Sequence, residues 1–185
     1  MAQVRNNIII KGLSGSIGNQ LVFKQDKAGR TIVGVPPSID PDRTYSEAEL
    51  ERQEVFRDAT VYAKSAKGEA VYIEKAEGTP MSAYNVAIAD WFHGPEIREI
   101  DIENWSGAVG EVIRIQVVDN VKVAKVNVVI SNSEGAVLEQ GVAVPAEGAW
   151  LTYTTTATAQ NGAQLVVTAE DLPGNVTDMT VVFSD

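Results

Sequence analysis

The sequence predicts two successive units: an α+β unit with a β-hairpin and two or three helices over residues 1–94, then an all-β antiparallel sandwich over 95–185. Three observations carry this. The apolar residues recur at helical intervals between Ser46 and Trp91 and change to period two after Pro95, the alternation of half-buried strands. Glycine, proline and aspartate clusters punctuate the second stretch about every ten residues, the spacing of a sandwich of short strands. With 44% apolar and 22% charged residues, the chain has ordinary globular composition, enough to build packed cores.

The elements follow in order. Ile8-Ile9-Ile10 is a short apolar strand, followed by the glycine-rich run from Gly12 to Gly18. Leu21-Val22-Phe23 and Thr31-Ile32-Val33-Gly34-Val35, joined across Asp26-Lys27-Ala28-Gly29, form a hairpin that Pro36-Pro37 ends. Ser46 with Glu49 has capping-box spacing, and Leu50, Phe56, Ala59, Tyr62, Ala63 and Ala66 mark an amphipathic helix that stops at Lys67-Gly68. Ala70 to Ala76 is a short helical or extended piece. Thr79-Pro80 is expected to start a further helix carrying Tyr84, Ala87, Ile88 and Trp91 on one face and ending at His93-Gly94-Pro95. The glycine-rich hairpin is the nearest surface for the helices to pack on. Beyond Pro95, seven strands are expected: around Ile97 to Ile102, Val112 to Val118, Val123 to Ile130, Ala136 to Val144, Trp150 to Ala157, Leu165 to Ala169 and Thr180 to Phe183.

Composition excludes several chemistries. Without cysteine there is no disulfide, thiolate nucleophile or thiolate-held metal. His93 is the only histidine, so a catalytic triad or multi-histidine metal site would have to be built on one ring. No residue set supplies a nucleophile, a general base and an oxyanion site together, and the expectation is a protein that is not an enzyme and needs no cofactor. The net charge is −10; residues 95–185 carry 4 Lys+Arg against 13 Asp+Glu, against 11 and 12 in residues 1–94. So few cations disfavour nucleic acid and anionic membrane as partners. The amino terminus lacks the apolar region of a Sec signal and no stretch has the length of a membrane helix. The chain is therefore expected to be made in the cytoplasm and, if it ends in an extracellular filament or particle, to leave by another route.

Several residues invite functional readings. The run Gly12-Leu13-Ser14-Gly15-Ser16-Ile17-Gly18 has the look of a phosphate-cradling turn, but β-like sequence follows it, so a structural turn is the preferred reading. Asp119, Glu170, Asp171 and Asn175 would offer oxygens to Ca²⁺ if two loops meet at one end of the sandwich; as turn formers they need no ion. His93 at a helix end is placed to meet the helix dipole. Glu47, Glu49 and Glu51 form a solvated face with Arg52 as an ion-pair partner. Trp105, in Asn104-Trp105-Ser106-Gly107, is the best exposed candidate for a sugar-stacking ring, whereas Trp150 on a central strand is expected in the core.

Two resemblances add to this. Ile113-Arg114-Ile115-Gln116-Val117-Val118-Asp119, Val126-Asn127-Val128-Val129-Ile130, Gly148-Ala149-Trp150-Leu151-Thr152-Tyr153 and the run Val166 to Asn175, with its Ala169-Glu170-Asp171-Leu172-Pro173-Gly174-Asn175 turn, resemble bacterial immunoglobulin-like and fibronectin type III-like domains over about residues 110–183. The resemblance implies an immunoglobulin-like sandwich, a fold shared by spacers, adhesins, sugar binders and assembly units. Residues Lys11 to Val35 resemble the opening of uncharacterised phage- or prophage-like proteins of Bacteroidetes, which implies a component of a particle or filament.

The combined expectation is a structural protein that self-assembles by N-terminal strand exchange, its strand residues being Ile8, Ile9, Ile10, Leu13 and Ile17. The uncharged apolar segment Asn6 to Ile10 has the profile of a donated strand. The alternative is a carbohydrate- or receptor-binding module centred on Trp105.

Overall fold

A computed structural model describes residues 2–4, 10, 12–26, 29–38 and 40–184. It divides into two compact units, Met1–Asn85 and Val86–Asp185, so the boundary falls nine residues before the expected 94 and passes through a helix.

In the first unit, β1 (Ala2–Val4), β2 (Gly15–Ile17), β3 (Leu21–Gln25) and β4 (Thr31–Gly34) make one antiparallel sheet in the order β1-β4-β3-β2. The expected pairing of β3 with β4 is present, Phe23 lying opposite Val33. Gly18 and Asn19, at φ 53° and 52°, connect β2 to β3, and the Gln20 amide donates to the Ile17 carbonyl at 3.0 Å. Two successive positive φ values define the turn whose twist suits a two-residue hairpin, and glycine and asparagine are the residues that tolerate it. The glycine-rich run thus contains strand β2 and ends, at Gly18, in a hairpin turn. Ile8 and Ile9 lie outside the described residues.

Helix α1 (Glu47–Ala66) starts at the expected capping box: the Ser46 side chain accepts from the Glu49 amide at 3.3 Å while Glu49 Oε2 accepts from the Ser46 amide at 3.0 Å. Glu49 also binds Arg43 at 2.6 Å; the expected partner was Arg52. These hydrogen bonds, first that of the Ser46 backbone, hold the Glu49 carboxyl below the usual carboxylate value. Helix α2 (Ala70–Ala76) meets α1 through Tyr62 and Tyr72, whose hydroxyls are 2.5 Å apart and whose rings lie edge to face. Helix α3 (Ala83–Trp91) begins later than Thr79-Pro80 suggests: the Ser82 hydroxyl accepts from the Asn85 amide at 3.2 Å and is the cap.

The second unit is built from β5 (Glu96–Asp101), β6 (Val112–Val118), β7 (Val123–Ser131), β8 (Val137–Val142), β9 (Val144–Pro145), β10 (Trp150–Thr154), β11 (Gln164–Asp171) and β12 (Val176–Val182). They form two antiparallel sheets, β5-β6-β10-β9 and β12-β11-β7-β8. Alternation does the work: Ile113, Ile115 and Val117 of β6, Val126, Val128 and Ile130 of β7 and Leu165, Val167 and Ala169 of β11 all turn inward into one core shared by both sheets. The expected single strand 136–144 is two. After β8 the chain crosses at buried Ala143, whose amide donates to the Val126 carbonyl at 2.9 Å, and enters the other sheet as β9. Pro145, which has no N–H, sits in this edge strand, where none is needed.

Candidate functional site

One end of the second unit gathers three carboxylates from three elements: Asp90 in the last turn of α3, Asp119 just after β6, and Asp171, the last residue of β11. Each offers an oxygen within 4.8 Å of the others. Asp171 continues the inward row of Leu165, Val167 and Ala169, so a charged residue occupies a position that the strand's alternation assigns to the core; it is 2% exposed, and Asp90 is 0%. Glu170 falls on the opposite face of β11 and is not part of the cluster.

Local hydrogen bonds fix the carboxylates. Asp119 Oδ2 accepts from the amides of Val121 at 2.8 Å and Lys122 at 2.6 Å, closing the β6–β7 turn. Asp171 Oδ1 accepts from the amides of Gly174 at 2.9 Å and Asn175 at 2.6 Å, closing the turn before β12. Asn175 Nδ2 donates to Asp171 Oδ2 at 2.7 Å and to the carbonyls of Trp91 at 3.2 Å and Asp90 at 3.4 Å, tying the end of α3 to the β11–β12 turn.

Of the residues expected from sequence, the structure therefore brings Asp119 and Asp171 together. Asn175 lies beside them and turns its NH₂ toward them as a donor. Asp90 is the residue that sequence reading missed; the signal available was one acid in the otherwise uncharged run Ala83-Tyr84-Asn85-Val86-Ala87-Ile88-Ala89-Asp90-Trp91. His93 places Nδ1 2.6 Å from the Ala89 carbonyl at the end of α3.

Trp105 is a correction. It is 3% exposed and packs on Phe183 with ring centroids 4.7 Å apart, inside the sandwich core, so the ring offers no surface for a sugar. Its polar neighbours made the loop look exposed, but the indole turns inward. Trp150 is the half-buried one, with the Arg114 guanidinium 4.5 Å over its ring. It helps line an apolar groove of about 450 Å³ with Val117, Val142, Val144 and Leu151, where the chain passes from β8 to β9. Among the assembly residues, Leu13 is 40% and Ile17 58% exposed, and Ile10 lies in a turn.

No family model matches the chain, and no curated protein matches it. Solved structures are similar in part, three of them as follows. CopC from Methylosinus trichosporium OB3b shares 12% identity at a TM-score of 0.36, over 46% of this chain and 87% of that one. A conjugative transposon lipoprotein from Bacteroides eggerthii DSM 20697 shares 12% at 0.29, over 49% and 95%, and a lipoprotein from Bacteroides thetaiotaomicron shares 20% at 0.27, over 50% and 79%. Among the described residues no helix is long and apolar enough to cross a membrane.

Proposed function

We propose that this chain is a non-enzymatic structural protein that assembles with copies of itself through its N-terminal unit. The observation that carries the reading is uncovered apolar surface. Among the described residues before Asn85, Leu13, Ile17, Leu21, Val35 and Leu50 are between 40% and 77% exposed, while the buried apolar side chains are Phe23, Ala59, Ala63, Ala66 and Tyr72. A unit that leaves its large side chains in water and buries mainly alanines gains its missing burial from a partner.

The sheet order favours a second copy as that partner. Among the described residues, β1 and β2 are the two outer strands, each with an unpaired edge. Pairing the β2 edge of one copy with the β1 edge of the next extends one continuous sheet, a head-to-tail contact that propagates unless its rotation closes a ring. Strand exchange by the N-terminal segment is the other route to such a contact. The sandwich is read as immunoglobulin-like: β5-β6-β10-β9 over β12-β11-β7-β8 is the order A-B-E-D over G-F-C with an added C′.

Light scattering and negative-stain imaging of the full chain, of a chain lacking residues 1–10 and of Ile17→Asp test the proposal. Regular assemblies from the full chain that both changes abolish support it. A monodisperse 19.9 kDa species at high concentration in all three overturns it. The second reading, a carbohydrate- or receptor-binding module, draws on the Trp150 groove; glycan binding lost in Trp150→Ala and kept on removal of residues 1–10 would favour it.

A further inference from the structure

We propose that Asp90, Asp119 and Asp171 form a site for one calcium-class divalent cation, independent of the assembly reading. The cluster alone is three like charges brought together, two of them fully buried, in a medium where they repel far more than in water. What points to a cation is the unmatched oxygen of Asp119. Its Oδ2 is held by two backbone amides, whereas its Oδ1 is completely covered and accepts no hydrogen bond. A covered carboxylate oxygen with no donor lacks the partner that burial demands. Among the described residues no ion pair reaches Asp119 or Asp171.

The donor chemistry selects the ion. All three ligands are carboxylate oxygens, with no nitrogen or sulfur, which suits hard cations. Oxygens up to 4.8 Å apart can share an ion at about 2.3–2.6 Å from each, the calcium distance, whereas magnesium holds its ligands at about 2.0–2.1 Å and draws them closer. Three carboxylates fill part of a shell of about six to eight oxygens, leaving room for carbonyls or water. The positions give the ion a structural task. Asp119 follows a strand of one sheet, Asp171 ends a strand of the other, and Asp90 lies in the last turn of α3, so one ion ties both sheets and the helix end together within the second unit.

The test uses the full chain, stripped with chelator and dialysed. Titration calorimetry with CaCl₂ should show one ion per chain, MgCl₂ should bind at least ten-fold more weakly, and the thermal midpoint should rise with CaCl₂ and fall again with EGTA. Asp119→Asn should weaken calcium binding at least ten-fold while its circular dichroism without calcium matches that of the parent; Asp178→Asn, an exposed acid on β12, should bind as the parent does. Absence of heat and of any midpoint shift at millimolar CaCl₂ overturns the site. Undiminished binding by Asp119→Asn overturns its location, and equal binding of magnesium overturns the calcium assignment.

Discussion

Replacing Trp105 by alanine tests the core of the second unit most directly. The side chain is 3% exposed, packs on Phe183, and belongs to the cluster that joins both sheets. An aromatic side chain buries roughly 150–250 Å², and at about 25 cal/mol per Å² its loss is worth about 4–6 kcal/mol. Residual burial in the unfolded chain lowers this to about 3–5 kcal/mol, the usual cost of removing a buried tryptophan. One feature separates size from polarity. The indole Nε1 is buried and makes no hydrogen bond, an unfavourable contribution that phenylalanine removes. Trp105→Phe is therefore expected to cost about 1–2 kcal/mol, well below the alanine variant. Urea denaturation of the full chain followed by far-ultraviolet ellipticity measures both, the alanine midpoint falling by at least about 1 M at an unchanged slope. An alanine variant within about 0.5 kcal/mol of the parent, the range of ordinary surface substitutions, would refute the burial argument, as would a phenylalanine variant as unstable as alanine.

Gly107 and Gly110 share a left-handed backbone, at φ 85° and 87°, but a Cβ at Gly107 would lie 2.3 Å from the Ala159 carbonyl oxygen while one at Gly110 meets open space. Alanine at 110 should cost about 1 kcal/mol and alanine at 107 at least about 2 kcal/mol more; equal melting losses would remove the steric argument. The Ser106 hydroxyl, then the Ser106 and Ala108 amides, hold the Glu111 carboxyl below its ordinary 4.5. A depressed value stabilises the fold above the unfolded pKa and loses that stabilisation as pH falls through the folded one, so Glu111→Gln should flatten the decline of the melting temperature below about pH 4.5. Parallel pH curves would contradict this. Tyr153 is shifted the other way, above 10.0, by burial and then by the charge of Glu139, to which its hydroxyl donates at 3.1 Å. Its contribution is present below pH 10 and is lost as pH rises through the raised value; Tyr153→Phe should remove that alkaline loss, and melting scans between pH 9 and 11.5 show whether it does.

What was legible in sequence is what neighbouring residues decide. The Ser46 and Glu49 box closes over three residues and needs no distant contact, and the inward rows of β6, β7 and β11 follow from alternation. What was not legible depends on residues far apart in the chain. The crossing at Ala143 is set by which strand each side finds, β7 before it and β10 after it, and the apolar run 136–144 looks the same either way. Asp90 and Asp119 meet only through the fold. Trp105 has the flanks of a loop, and nothing local shows that Phe183, at the far end of the chain, lies against it.

The N-terminal unit supplies the last prediction. In α1, Ala59, Ala63 and Ala66 are covered, and Val55 continues their stripe toward the start of the helix at helical spacing, yet it is 42% exposed. Helices in proteins draw most of their stability from packing such a stripe, and at Val55 this one still leaves area that a contact could cover. If copies of the chain supply that contact, association and folding of the unit are linked, and stability must depend on concentration by mass action. The thermal midpoint reported by α-helical ellipticity should then rise over a hundred-fold increase in protein concentration, and Val55→Ser should remove the rise while changing the dilute midpoint little. A midpoint independent of concentration across that range would mean that the unit folds to its full stability alone, and the case for self-assembly built on its uncovered side chains would fail.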